Sequence, residues 1–590
     1  MTYSIGSVIQ ATDYNTFAQG GASPDNNVAN INTIWGTGDT LDKGWGQSGT
    51  LSTVTAGTST VTATQWASMF TLFTSIAAQT NTTVTAISNP TVGDTIAVKS
   101  NFSTNLSSCF TNRNNAVAVG STITAAGVAT YSSSWTGALT ATHTITFTSA
   151  NAARYFFNAG GIITWAGART GGSATAKNTS WTNLLTACGT INTTTGTSTQ
   201  TIAGTAYTGT TKTGGSGSPT TLLTGTGFYD LTTSNQEVFK QFDSTYLYTS
   251  DFVSINIKAN AAAGSATVIT ITVLYQNATS GADSPAGFET VDGTLTSTIT
   301  AIQPSTTYLT NTWGTPVLSS AIAVTQYMGT YLLVGGGGGG GYNVGGGGGG
   351  GQVLPGTTAL TVGTVYNITV GGGGNGASGA GVNGVSGTSS TGFGQTAVGG
   401  GGGGTATLAG SGGASGGGGS ASQAGGTATA GFNGGAGASN AAGGGGGAGV
   451  IGVAGGTVGS LPAGGNGGDG TYSTIGSSTG SRLYYGTGGG GGANSAFGPS
   501  TGGTPSLPGA GPGGNGGYTS GAATAGTTNR GAGGGGGAVS GAGGAGGSGV
   551  TVLAVPTANY SATVTGTYTT ATYNGNTIIT WTTGSGSYTA

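Results

Sequence analysis

The sequence predicts a mainly β protein: a small N-terminal helical module, an antiparallel β-sandwich, and a bundle of polyglycine-II helices anchored by short strands. Three observations carry that prediction. Apolar residues recur at helical spacing between Thr62 and Ala77. They switch to a period of two between about Cys109 and Trp313. Most of the chain's 129 glycines then crowd between Gly335 and Gly549. The corresponding boundaries are 1–100, 101–320 and 321–555, with a β-hairpin tail over 556–590.

The helical module rests on Thr62-Ala63-Thr64-Gln65, a capping box. Trp66, Met69, Phe70, Phe73, Ile76 and Ala77 follow on one face of a helix of about four turns. Ile9 to Tyr14 echoes Val61 to Trp66 as a weak internal repeat. Gly36 to Gln47 reads as a turn-rich loop. In the sandwich, Leu139, Ala141, His143, Ile145 and Phe147 share one strand face. Val253, Ile255 and Ile257 do so in a second strand, and Ile269, Ile271, Val273 and Tyr275 in a third. Thr-rich partners fill the alternate face. A short helix carries Trp181, Leu184, Leu185 and Cys188, with Ser180 expected as its cap. In the tail, Tyr573-Asn574-Gly575-Asn576 is a type I′ hairpin signal.

The glycine block admits three structures. Collagen needs glycine at every third position without exception, and the uninterrupted runs Gly335–Gly341 and Gly345–Gly351 exclude it. A flexible linker needs only Gly and Ser. Extended helices with three residues per turn make no internal hydrogen bonds, but without side chains they can approach and bond laterally. Ordering so many residues costs on the order of a few hundred kcal/mol. With few large apolar residues, only dense lateral hydrogen bonding can offset that. Tyr331 to Val334 and Val365 to Val370 run directly into glycine, and Val550 to Val555 leaves it. These pieces read as a small sheet holding the helices in register, which a linker would not need. The glycine-poor segments Thr388–Thr396, Thr471–Tyr485 and Asn494–Leu507 read as turns at the bundle ends. Tyr472, Arg482, Tyr484 and Tyr485 cluster in one of them. Tyr and Arg are favoured at binding hot spots, so these four are the receptor-binding candidates; the alternative is packing between turns.

Composition narrows the function. Charged residues make up 4% of the chain and net charge is −2. That removes the electrostatic footprint of a nucleic-acid or anionic-membrane binder. MTYSIGSVIQ has neither a basic nor an apolar segment, so no signal peptide is expected. No run reaches the roughly 18 apolar residues that span a bilayer. Nor is catalytic chemistry expected. The single histidine, His143, reads as a satisfied sheet-face residue. No Cys/His cluster offers metal ligands. Asp39 and Asp42 could form half a calcium site but fit a solvated turn better. Glycine strings such as Gly371 to Gly376 lead into no helix and carry no P-loop Lys. Cys188 reads as a buried filler. No enzyme activity, cofactor or metal is therefore expected.

The block resembles the glycine-rich domain of tailed-bacteriophage tail fibres and adhesins. The residues that carry this are YLLVGGGGGGG (Tyr331 to Gly341), VYNITVGGGG (Val365 to Gly374) and GGSGVTVLAV (Gly546 to Val555). IQATDYN, GWGQ, VTATQW, RYFFNAGG (Arg154 to Gly161) and WTNLLTACGTI (Trp181 to Ile191) resemble virion structural proteins of marine phages. The resemblance implies a virion protein, extracellular after release, that attaches the particle to its host. Its implied partners are other tail or fibre proteins through the N-terminal module and a host-surface glycan or outer-membrane protein, with a homotrimer by analogy with fibres. It places the candidate tip at Arg482, Tyr484 and Tyr485. The alternatives are a purely structural fibre or decoration protein without a receptor, and an ice-binding protein.

Overall fold

The computed structural model describes residues 11–19, 29–36, 44–55, 61–87, 100–123, 125–196, 198–262, 264–278, 289–494, 513–518 and 522–590. The loop residues 37–43, with Asp39 and Asp42, and most of the 494–507 segment lie outside them, as does the start of the Ile9–Tyr14 repeat. The chain is mainly β, with six α-helices among the described residues, all before residue 190. It forms two compact units, Met1–Thr325 and Gln326–Ala590.

In the first unit, the helices Ala11–Gln19, Ala63–Gln79 and Ser100–Thr111 meet at Phe102. Its ring meets Phe17, Phe70 and Phe73 edge-on at 4.9, 5.2 and 5.0 Å. The capping box forms as the sequence predicts: Gln65 N–H donates to Thr62 Oγ1, and Thr62 N–H donates to Gln65 Oε1. Tyr14 and Trp66, equivalent positions of the repeat, pack edge-to-face at 5.8 Å.

The segment Gly44–Gln47 ties these helices to the rest of the unit. Trp45 Nε1 donates to Arg113 O, Asn158 Nδ2 to Gly44 O, and Gln47 Nε2 to Thr310 O. One apolar cluster runs from Tyr14 to Trp313. Residues 11–111 and the strands that follow thus share one core.

The strands form two facing antiparallel sheets. One has the order Thr221–Leu222, Gln236–Phe242, Phe252–Ala259, Val268–Asn277, Gly137–Thr146, then the start of Val317–Val334. The other has Thr294–Pro304 at its centre, paired with Ile162–Thr170. His143 lies between the sheets: its ring nitrogens bond Ser297 Oγ at 2.8 Å and Ser320 Oγ at 2.6 Å. Burial pushes its pKa down to about 4. It is a satisfied core histidine.

The helix Ala176–Cys188 packs on the strand Ile162–Thr170, where Gly167 leaves room for Leu185. Its cap is Thr175, whose hydroxyl accepts from Asn178 N–H. The expected cap, Ser180, sits inside the helix and donates to Asp243. The helix starts one turn earlier than its apolar residues suggest, because Thr175 supplies the cap one turn before Ser180.

In the second unit, Gly335–Gly341 defines the lattice of the glycine block. Gly336 and Gly339 donate to Thr388 and Val385. Gly337 and Gly340 donate to Gly547 and Gly544, and Gly338 and Gly341 to Gly349 and Gly346. Every third residue faces the same neighbour, the three-residue turn expected of this helix type. Partner numbers fall as donor numbers rise, so these three neighbours run antiparallel.

The carbonyls face three others. Gly336 and Gly339 accept from Gly400 and Gly403, Gly337 and Gly340 from Gly374 and Ala377, and Gly338 and Gly341 from Gly534 and Gly537. These neighbours run parallel. Three and three make six neighbours, a hexagonal bundle with bonds of 2.8–3.0 Å. The lattice also dictates glycine. A Cβ on Gly340 would lie 1.9 Å from Gly535 O.

A twisted sheet anchors the bundle. Val334 pairs with Val353 on one side and Val550 on the other. The strand Val365–Val370 joins the same sheet, as expected, but not beside them. It pairs instead with Asn576–Thr589, which lies between it and Val550–Pro556. The C-terminal hairpin is therefore part of the anchor. Trp581 is buried in it, and Tyr588 and Tyr327 share a buried hydroxyl bond of 2.7 Å. Its turn is as expected, with φ of 47° at Asn574 and 77° at Gly575.

Candidate binding surfaces at the ends of the glycine bundle

Gly335 N–H bonds Gln352 O at the sheet end of the first glycine hairpin, and Gly341 N–H bonds Gly346 O at the other end. Chain reversals fall at these two ends, and almost all large side chains of the bundle sit there. Between them the surface is mostly backbone, with the exposed Val385 and Val453 as exceptions. The recognition chemistry of this region is thus concentrated in the turns.

The predicted cluster lies at the sheet end. Thr471–Ser473 pairs with Leu483–Tyr485, placing Tyr472 opposite Tyr484. Cross-strand partners share a face, and the two rings meet at 6.0 Å and 61°. The Arg482 guanidinium lies 4.4 Å over the Tyr472 ring. The loop is organised by Ser477, whose hydroxyl accepts from Thr479 and Ser481 N–H at 3.3 and 2.8 Å. Tyr472 is 51% exposed. Tyr472, Arg482 and Tyr484 therefore form one outward platform of two rings and a cation.

Tyr485 departs from the expectation. Only 2% exposed, it packs with Leu332, Val334, Val550, Val552 and Ile578. Successive strand residues point to opposite faces, so a hairpin that presents Tyr484 must bury Tyr485. The Arg530 guanidinium lies 4.8 Å over its ring. Burial pushes the phenol's pKa up, against the opposing pull of Arg530. Tyr485 is an anchor for the platform and not a surface contact. Beside it opens a cleft of about 410 Å³ lined by Leu483, Tyr485, Arg530, Val552, Ile578 and Thr580, among others.

The opposite end carries residues the sequence reading did not single out. Val382 and Val458 are 69% and 67% exposed, and Leu408 and Tyr518 are exposed as well. Asparagines tie some of these turns together. Asn383 donates to Ala409 O and accepts from Thr405 N–H, and Asn343 accepts from Ser540 N–H. The signal was there: Tyr342-Asn343-Val344 interrupts two glycine runs. Such turns are only a few residues long, and longer glycine-poor segments outweighed them.

Elsewhere the described residues contain no group of three His, Cys, Asp or Glu side chains that could hold a metal. Cys109 and Cys188 are buried and free, and burial pushes their thiols up to about 11 and about 12. No described helix is long and apolar enough to cross a membrane.

Residues 312–556 match the family described as glycine-rich domain. The match starts just before the strand Val317–Val334 and ends with Val550–Pro556, so it covers the bundle and the strands that enter and leave it. No curated protein and no solved structure matches the chain. The chain thus contains a glycine-rich domain over residues 312–556.

Proposed function

We propose that the chain is a non-catalytic attachment protein of a tailed-phage particle, a tail fibre or adhesin that binds the host surface. One observation carries the reading: a hexagonal glycine bundle most of whose large side chains are gathered in end turns. Such a body is a scaffold that presents loops. Its cohesion comes from backbone bonds, so turn sequences can change without disturbing the lattice. With few charges to screen, it holds at variable salt.

The platform of Tyr472, Arg482 and Tyr484 suits a glycan, since aromatic faces stack on sugar rings and a guanidinium bonds hydroxyl or carboxylate oxygens. The turns around Val382, Leu408 and Val458 suit a more apolar contact. In this reading the first unit joins other tail proteins, and the working form is a homotrimer.

The test is adsorption by particles carrying either of two variants. One replaces Tyr472, Arg482 and Tyr484 by Ala and keeps the anchor Tyr485. The other carries Leu408→Asp with Val382→Asp. Loss of host adsorption in either, with particle assembly intact, is the expected result. Normal adsorption by both would leave a purely structural fibre.

A further inference from the structure

The first unit holds a buried amine beside a buried carboxylate. Lys177 Nζ lies 2.5 Å from Asp251 Oδ2, and their side chains are 1% and 0% exposed. The other ion pair among the described residues, Arg169 with Asp292, is partly open to solvent at 3.3 Å. Lys177 sits in the first turn of the helix Ala176–Cys188, and Asp251 immediately precedes the strand Phe252–Ala259. The amine lies 4.7 Å over the Tyr248 ring, and Asp251 Oδ1 accepts from Ala278 N–H at 2.9 Å.

Two further carboxylates act on the amine, Glu289 and Asp243. Asp243 is engaged by Ser180 and by Thr245 N–H. Glu289 is held through its carbonyl by Asn277, the residue before Ala278, and its Oε2 is buried without a hydrogen-bond partner.

We propose that Lys177 and Asp251 condense after folding into an intramolecular amide, an isopeptide cross-link between the helix and the strand. A proton passes from the ammonium to the carboxylate, giving a neutral amine and a neutral acid. Nζ then forms a bond to Cγ. Glu289 takes the surplus proton from nitrogen and delivers it to the departing hydroxyl. The C–O bond breaks, one water leaves, and no oxidation state changes.

Three features favour the step. Burial lowers the amine's pKa and so favours the nucleophilic neutral form. The two groups are held in contact, which replaces an encounter with a positioned reaction. Condensation also removes two buried charges whose desolvation is costly.

Intact mass spectrometry of the full chain, purified and denatured, tests this. The expected mass is one water below the sequence mass, with a branched peptide joining Lys177 to Asp251. The full sequence mass, or a water lost elsewhere, overturns the proposal. Lys177→Ala and Asp251→Ala should each restore full mass, and a water still missing from either would also overturn it. Glu289→Gln, checked for folding by circular dichroism, should accumulate the unlinked chain. Complete linkage in that variant would remove Glu289 from the step.

Discussion

Gly340→Ala probes the bundle lattice directly. The new Cβ would lie 1.9 Å from Gly535 O and 2.4 Å from its carbonyl carbon. Neither is a flexible side chain, so a helix must move. Displacement breaks the lateral bonds on that residue, Gly340 N–H to Gly544 O at 2.8 Å and Ala377 N–H to Gly340 O at 2.9 Å. Two such bonds contribute about 1 kcal/mol each. Overpacking of a filled interior adds about 1–3 kcal/mol. The expected loss is about 3–5 kcal/mol, a fall of about 6–20 °C in the melting midpoint of a unit this size. Gly456→Ala is the control, because its Cβ meets nothing within 4 Å. It should be neutral, or stabilise slightly by restricting the unfolded chain. Scanning calorimetry of the full chain reads both. An unchanged midpoint for Gly340→Ala would refute the close-packed lattice.

Three further outcomes follow from particular side chains. Phe102→Ala removes the ring at the centre of the helical cluster and should cost about 3–5 kcal/mol, read by chemical denaturation of the first unit; a loss below about 1 kcal/mol would show that the helices do not share that core. His143 is held near a pKa of about 4, against about 6.5 when unfolded. The unfolded chain therefore binds the extra proton between those values. The stability from neutral His143 is complete above pH 6.5 and is lost as pH falls toward 4, at most about 3 kcal/mol. His143→Gln should flatten that part of the pH profile, and an identical slope would contradict the buried, neutral ring. Tyr485→Ala should cost about 3–5 kcal/mol and loosen the sheet end, whereas Tyr472→Ala should stay within about 0.5 kcal/mol; equal effects in thermal melts would put both tyrosines in the same environment.

Much of this architecture was legible where side chains differ from one another. Thr62 and Gln65 specify a helix start by their own hydrogen bonds. Leu139 to Phe147 specify a strand face by alternation. Asn574-Gly575 specifies a turn that needs two positive φ values. The helix type of the glycine block was legible too, because uninterrupted glycine leaves few ordered alternatives.

Which run bonds which was not legible. Gly337 and Gly340 are chemically identical to Gly336 and Gly339, so nothing in them selects Gly547 over Thr388 as a partner. Pairing is set by turns and by the anchoring sheet. The insertion of Asn576–Thr589 between Val365–Val370 and Val550–Pro556 is a long-range pairing of the same kind. Of the four candidate residues, which the sequence gathers in one turn, the hairpin brings Tyr472, Arg482 and Tyr484 to one face and buries Tyr485. The orientation of Tyr485 depended on hairpin register, since a shift of one residue would have buried Tyr484 in its place.

The central claim is that the glycine block is an ordered lattice closed by lateral backbone bonds. Amide hydrogen exchange across Gly335–Ala377 of the full chain, read by mass spectrometry, tests it most directly. The lattice predicts slow exchange throughout Gly336–Gly341, because each of those amides is bonded whichever neighbour it faces. Exchange across Gly336–Gly341 at the rate of an unstructured peptide would contradict it and return the block to a linker.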